Sequence, residues 1–228
     1  MIDIEQFERE GFAMTPSLLS SAEVAHLIAL IEVHASPDAK RGGIRDIMHR
    51  VPELRDTANH PAVRSIVEQV LEANAFVVRS TLFDKTEAAN WKVPWHQDLT
   101  VAVRSRRDTE GYGPWSTKEG IVHVQPPTEV LARMVTVRIH LDPCPATNGA
   151  LRVLPGTHKL GRLNQNYLDC HIDEGRAVTC AAQSGDALIM RPLLLHASSP
   201  STLPAHRRIL HFDFAAGDLD NGLVWRMR

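Results

Sequence analysis

His96 and Asp98 sit two apart in the run Trp95-His96-Gln97-Asp98. On a β-strand, residues i and i+2 face the same way, so an imidazole and a carboxylate at this spacing can close on one metal ion. Two imidazoles and one carboxylate on one face of an octahedron form the ligand set of non-haem Fe(II) oxygenases, with the remaining positions open. A second imidazole must come from elsewhere, and His196, after the apolar run Leu193-Leu194-Leu195, is the candidate. Spacing alone does not select the pair. With 12 His and 27 Asp+Glu in 228 residues, roughly one or two His-x-acid matches arise by chance. The chain holds four: His96/Asp98, His140/Asp142, His171/Asp173 and His211/Asp213. Their surroundings must decide among them.

The elements that would position these residues fall into two parts. Residues 1–74 read as mainly helical support. Asp3 can cap a short helix within residues 3–12. Val24, Leu27, Ile28 and Ile31 recur at helical period behind Ser20 and Ser21, and Val63, Ile66, Val67, Val70 and Leu71 do so behind His60-Pro61. Residues 37–43 read as a loop and 45–51 as irregular. From Ala75 onward the pattern turns to short β-branched and aromatic runs between Gly/Pro turns: 76–83, 96–104, 121–124, 134–141, 150–154, 177–180, 186–190, 193–197 and 207–214. Helices first and strands after make the fold α+β, with a double-stranded β-helix (jelly-roll, cupin-like) core over 75–228 and the helices packed outside it. Residues 1–228 read as one domain. Segment 104–130 interrupts the strands and reads as a flap insertion, since long connections in compact domains are often functional.

Composition excludes several classes. A 43% hydrophobic chain can build a sizeable core, and a formal net charge of −2 favours neither nucleic acid nor an anionic membrane. No apolar run approaches the roughly 20 residues of a membrane helix, and the acidic start lacks a signal-peptide core. Cys144, Cys170 and Cys180 are an odd number without a Cys-x-x-Cys pair, which suits reduced thiols in the cytoplasm. Oligomeric state is not legible.

The run Asn148-Gly149-Ala150-Leu151 leading through Val153 and Leu154 to Pro155-Gly156-Thr157-His158 resembles the phytanoyl-CoA dioxygenase family of Fe(II)/2-oxoglutarate oxygenases. Further points of resemblance are the His-Gln-Asp run some fifty residues earlier, Gly185-Asp186 before the strand of His196, and an arginine eleven residues after that histidine, Arg207. The start Gly11-Phe12 with the 21–33 helix also resembles the family. The resemblance implies His96, Asp98 and His196 as the metal-binding catalytic triad. It implies Fe(II), O₂ and 2-oxoglutarate as cofactor and cosubstrates, ascorbate as a helper, and release of succinate and CO₂. Relatives that halogenate lack the carboxylate, so Asp98 points to hydroxylation or another C–H oxidation.

The remaining roles follow from side-chain chemistry and strand alternation. The distal carboxylate of 2-oxoglutarate calls for a forked cation that stays charged. Arg207 and Arg208 are neighbours and so face opposite ways on a strand; the family spacing selects Arg207. The resemblance adds Ser198 as a cosubstrate contact and places Arg138 beside the cosubstrate. In 134–141, Thr136, Arg138 and His140 alternate with Val135, Val137, Ile139 and Leu141. The polar face is expected to line the pocket, with Thr136 and Arg138 toward the cosubstrate and His140 toward the substrate. On the flap, Arg104, Arg106 and Trp115 are expected to contact a small-molecule substrate. Two other classes stand beside this one: a jelly-roll metalloprotein without oxidative turnover, such as a cupin-like isomerase, and a non-catalytic binding protein. Arg207 argues against the first and the intact triad against the second.

Overall fold

Polar–apolar alternation along three long strands builds the central feature, a six-stranded antiparallel sheet. The computed structural model describes residues 1–34, 42–71, 74–164, 166–168, 172–202 and 206–228. Its helices are α1 (Ile4–Glu10), α2 (Ser21–His34), α3 (Ile47–Arg50), α4 (Leu54–Ala58), α5 (Pro61–Leu71) and α6 (Thr128–Ala132). The strands are β1 (Phe12–Thr15), β2 (Gly43–Arg45), β3 (Phe76–Lys85), β4 (Val93–His96), β5 (Val101–Val103), β6 (Trp115–Lys118), β7 (Ile121–Val124), β8 (Met134–His140), β9 (Leu151–Val153), β10 (Val178–Cys180), β11 (Ala187–Met190), β12 (His196–Ser198) and β13 (Arg207–Ala215). The large sheet has the order β1-β11-β8-β13-β3-β2, a four-stranded sheet the order β10-β9-β12-β4, and a three-stranded sheet the order β5-β7-β6.

Alternation decides which face meets what. Val135, Val137 and Ile139 of β8 and Leu210, Phe212 and Phe214 of β13 pack with Leu27 and Ile31 of α2 and with Val63, Ile66 and Val67 of α5. Each such fully buried side chain contributes roughly 1.5–3 kcal/mol. On the other face of the large sheet, Leu188 and Met190 of β11 pack with Leu151, Val153 and Cys180 of the four-stranded sheet.

Local signals explain the helix ends. Asp3 Oδ1 accepts from Gln6 N at 3.0 Å and starts α1, and Gly11 closes it in the left-handed region at φ 82°. Ser20 and Glu23 form a capping box before α2: Ser20 N donates to Glu23 Oε2 at 2.7 Å, and Glu23 N to Ser20 Oγ at 3.3 Å.

Several expectations are corrected. The first 74 residues are not helical support alone, because β1 and β2 are the two edge strands of the large sheet. The stretch expected to be irregular carries β2's end and α3. The strand expected over 193–197 begins only at His196, after a turn. The strand expected over 96–104 breaks after His96, and β5 starts at Val101, so Asp98 lies outside any strand. The insertion is an ordered hairpin, β6 with β7, laid against β5. His171, Cys170 and most of the loop 37–43 lie outside the described residues, while Asp173 caps a short 3-10 turn and accepts from Gly175 N at 3.0 Å.

Candidate metal centre

β4 and β12 pair antiparallel with His96 directly opposite His196. Opposed residues of a ladder share a face, so the two rings meet, with centroids 4.1 Å apart. Their Nδ1 atoms each make a backbone hydrogen bond, His96 to Pro94 O at 2.9 Å and His196 to Leu194 O at 2.8 Å. A carbonyl only accepts, so each Nδ1 carries the proton and each Nε2 presents its lone pair to the space between the rings. Asp98 joins them: its Oδ2 lies 3.8 Å from His196 Nε2, and one ligand atom from each of His96, Asp98 and His196 falls within 4.8 Å of the others.

Asp98 arrives there through a turn rather than through strand alternation. Asp98 N donates to Pro192 O at 2.9 Å. Gln97, 7% exposed, donates from Nε2 to Leu193 O at 2.6 Å and to Gly161 O at 2.8 Å, and its Oε1 accepts from Leu163 N at 2.8 Å. One amide thus ties the turn carrying Asp98 to the turn leading into His196. Gln97 was read only as the middle of a motif; nothing local in the sequence announces its three partners.

Burial, reinforced by His96, drives the His196 imidazole down to about 3, so it is a neutral donor at neutral pH. Burial alone would raise the Asp98 carboxyl, yet it is held at about 2. His196 is the first cause of the lowering and Arg79, whose Nη2 lies 3.9 Å from Asp98 Oδ2, the second. Two imidazole Nε2 atoms and a carboxylate fit a divalent metal ion.

The triad opens into a cavity of about 380 Å³ between the large and four-stranded sheets. Beside it lie three buried cations. Lys85 Nζ donates to Ser198 Oγ at 2.7 Å and Ser199 O at 2.8 Å. Arg207, 3% exposed, donates from Nη1 to Gly149 O and, at 3.4 Å, to Ser198 Oγ. Arg138, 6% exposed, donates from Nη1 to His211 Nδ1 at 2.8 Å. The Nε groups of Arg138 and Arg207 are buried without a partner. Among the described residues, none of the three has a carboxylate at ion-pair distance. Burial and then Arg207 lower Lys85 to about 8 and Arg138 to about 10. Buried charge without a counter-ion costs several kcal/mol. A small dianion between these groups offsets that cost, which is the fit 2-oxoglutarate requires. Gly149 explains the Asn-Gly turn: at φ +66°, a Cβ there would meet Ser199 O at 2.6 Å and Lys85 Nζ at 3.3 Å.

The other expected residues divide. Ser198, Arg138 and Arg207 line the cavity, and Arg208 points away, bound to Asp142 by Nε at 2.9 Å and Nη2 at 2.8 Å. Thr136 does not reach the cavity; its Oγ1 donates to Asp213 Oδ1 at 2.6 Å. His140 is buried with Nδ1 unpartnered and is not among the residues lining the cavity. Arg104, Arg106 and Trp115 are not among its lining residues either. Arg106 stacks on Trp115 at 5.6 Å and pairs with Asp108 at 3.1 Å, while the insertion faces the cavity with Lys118 and His123. The β6–β7 hairpin reverses direction at Glu119-Gly120, which puts its far end, not its root, over the opening. Arg79, Thr81, Phe83 and Lys85 were missed altogether. They share one face of β3, and odd-numbered polar residues in that run are a period-2 signal that could have shown them.

Packed antiparallel sheets that enclose two histidines and an aspartate offer the ligand set that non-haem iron enzymes use. The sequence signature of the phytanoyl-CoA dioxygenase (PhyH) family matches residues 7–209, and the chain belongs to that family. Ectoine dioxygenase of Streptomyces avermitilis is 24% identical over 171 residues, 69% of this chain and 51% of that protein. The chain therefore spans about half the length of this curated relative. Among solved structures, EvdO2 of Micromonospora carbonacea var. aurantiaca is 22% identical with a TM-score of 0.70, covering 97% of this chain and 94% of that one. The epimerase SnoN, solved with Fe³⁺, α-ketoglutarate and nogalamycin RO, is 16% identical with a TM-score of 0.70, covering 92% and 81%. At these identities the likeness is one of fold.

Proposed function

We propose that residues 1–228 form a single cytoplasmic Fe(II)- and 2-oxoglutarate-dependent dioxygenase that hydroxylates a small metabolite or natural-product intermediate. The two packed sheets are read as the halves of a double-stranded β-helix. The observation that carries the reading is the pair of Nε2 lone pairs and the Asp98 carboxylate converging beside a cavity with buried, uncompensated cations. The buried free thiols Cys144 and Cys180 suit a reducing compartment. Ectoine dioxygenase by its name, and SnoN by its bound nogalamycin compound, suggest small-molecule chemistry.

His96, Asp98 and His196 would hold the iron, with Gln97 keeping the two turns in register. Arg207, Ser198 and Lys85 would take the distal carboxylate of 2-oxoglutarate, and Arg138 would lie alongside. Iron, when bound, would activate O₂ for C–H cleavage: O₂ is the oxidant, and the keto acid is oxidised to succinate and CO₂. Phe83, Leu151 and Trp91 form the apolar walls that limit water around the reacting atoms. Arg79 keeps Asp98 ionised and is itself held by Asp213.

The test is anaerobic titration with Fe(II) and 2-oxoglutarate. A weak visible charge-transfer band from the chelated keto acid is the expected result, followed in air by succinate formation that a substrate accelerates. Absence of the band at saturating ligand overturns the reading. Product mass then separates gain of an oxygen atom from another oxidative outcome.

A further inference from the structure

The mouth of the cavity carries charge that neither the metal nor the cosubstrate uses. Lys118, at the end of β6, and Arg45, at the end of β2, both line it. Arg45 is bound to Glu119 by an ion pair that spans the opening from the large sheet to the tip of the β6–β7 hairpin. Among the described residues, no carboxylate lies within ion-pair distance of Lys118. Its surroundings are cationic instead: burial, then Arg45 and Arg79, lower its pKa. Inside the mouth, Arg79 is already paired with Asp213, and Asp98 is the one acidic residue among those lining the cavity. Once 2-oxoglutarate satisfies Arg207, Arg138 and Lys85, Lys118 keeps an uncompensated charge facing the opening. A second cavity of about 510 Å³ continues outward from the first, sharing Arg45, Thr81, Phe83 and Trp91 with it.

We propose that the substrate bears an oxyanion, a carboxylate or phosphate, which docks on Lys118 and Arg45 while its apolar body lies along Trp91 and Phe83. This rests on the oxygenase reading and names its substrate class. Arg45 is held by Glu119 in the absence of substrate, and the incoming oxyanion competes with Glu119 for it. Two substitutions therefore have opposite signs. Lys118→Gln removes an attracting charge, and Glu119→Gln removes the competitor and frees Arg45. Both lie on an exposed hairpin end, away from the core.

The charge can be read without turnover through Trp91, taken as the difference in fluorescence quenching between the protein and its Trp91→Phe variant. Iodide is expected to quench Trp91 more strongly than caesium. The iodide effect should fall in Lys118→Gln and rise in Glu119→Gln. Iodide quenching unchanged in Lys118→Gln would overturn the proposal. For turnover, the holoenzyme is screened with carboxylates, phosphate esters and their neutral amide or alcohol counterparts, reading substrate-stimulated succinate. The strongest stimulators should be oxyanions, and which arm they fall in tells carboxylate from phosphate. Lys118→Gln should raise their KM about tenfold or more with kcat little changed, and Glu119→Gln should lower it. A neutral or cationic compound as best substrate, or an oxyanion substrate indifferent to Lys118→Gln, would sink the idea. A failure here leaves the Fe(II)–2-oxoglutarate band intact, whereas failure of the oxygenase reading removes the band itself.

Discussion

At the scale of single residues the two cation assignments are separable. Arg207 and Arg208 are adjacent on β13, yet one borders the cavity and the other is clamped by Asp142, with Glu32 at 2.9 Å. Arg207→Ala should raise the 2-oxoglutarate requirement on the order of a hundredfold, the size of a lost charge-assisted, forked contact. Arg208→Ala should leave that requirement alone and lower stability by about 1–3 kcal/mol in urea unfolding. Equal effects on 2-oxoglutarate would mean the wrong face of the strand was chosen. His196→Ala should abolish the anaerobic charge-transfer band and Asp98→Ala should weaken it, because each removes one of three protein ligands. A full band in both variants would remove the triad from the site.

At the scale of elements, β13 does two jobs with its two faces. Leu210, Phe212 and Phe214 fill the helical layer, and His211 and Asp213 brace the cavity wall. Asp213, 1% exposed, accepts from Thr136 at 2.6 Å, from His211 Nε2 at 3.0 Å and from Arg79 Nε, so it joins β3, β8 and β13 through side chains. Burial would raise its carboxyl, but Arg79 and His211 hold it well below the ordinary 3.8. A folded pKa below the unfolded one gives stability that is present above the unfolded value and lost as pH falls through it toward the folded value. Asp213→Asn should cost about 3 kcal/mol or more near neutral pH, since Arg79 is left without its main counter-charge. The loss should shrink below about pH 4, where the native carboxylate's advantage also disappears. Urea unfolding at neutral and acid pH checks this, and a cost that stays constant with pH would refute the ion-pair account. The hairpin of β6 and β7 also belongs to this scale: Tyr112 OH donates to Asp220 at 2.9 Å and ties the loop before it to the chain's last turn.

At the scale of the whole molecule, ligand binding and stability are linked through the buried cations. A ligand at a hundred times its Kd adds about 2.7 kcal/mol, and in a chain of this size each kcal/mol moves Tm by about 2–4 °C. Saturating 2-oxoglutarate with redox-inert Mn(II) should therefore raise Tm by about 5–10 °C in thermal scans, equally in the Arg208→Ala variant and hardly at all in Arg207→Ala. No shift in the parent protein would argue against the cation cluster as the cosubstrate site. What the sequence by itself determined lies in short periods. Alternation along 134–140 separated an apolar face from a polar one and along 207–214 put Arg207 and Arg208 on opposite faces, because side chains on a strand change sides at every residue whatever the partners; the family spacing chose between the two arginines. Helical period with a capping box located α2, and the types of His96, Asp98 and His196 named the metal chemistry. The same rule also misled. It placed Asp98 on a strand that ends two residues earlier; the flap reading, separately, gave the substrate to Arg106 and Trp115, which pair with each other at the root of the hairpin. Only the tertiary structure decided that Asp98 swings in on a turn bolted by Gln97 to Leu193, ninety-six positions on. It alone decided that Lys85 reaches Ser198 across 113 positions and that Arg45 meets Glu119 over the mouth. Those contacts depend on strand pairing and turn closure between distant segments, and no local periodicity carries that information.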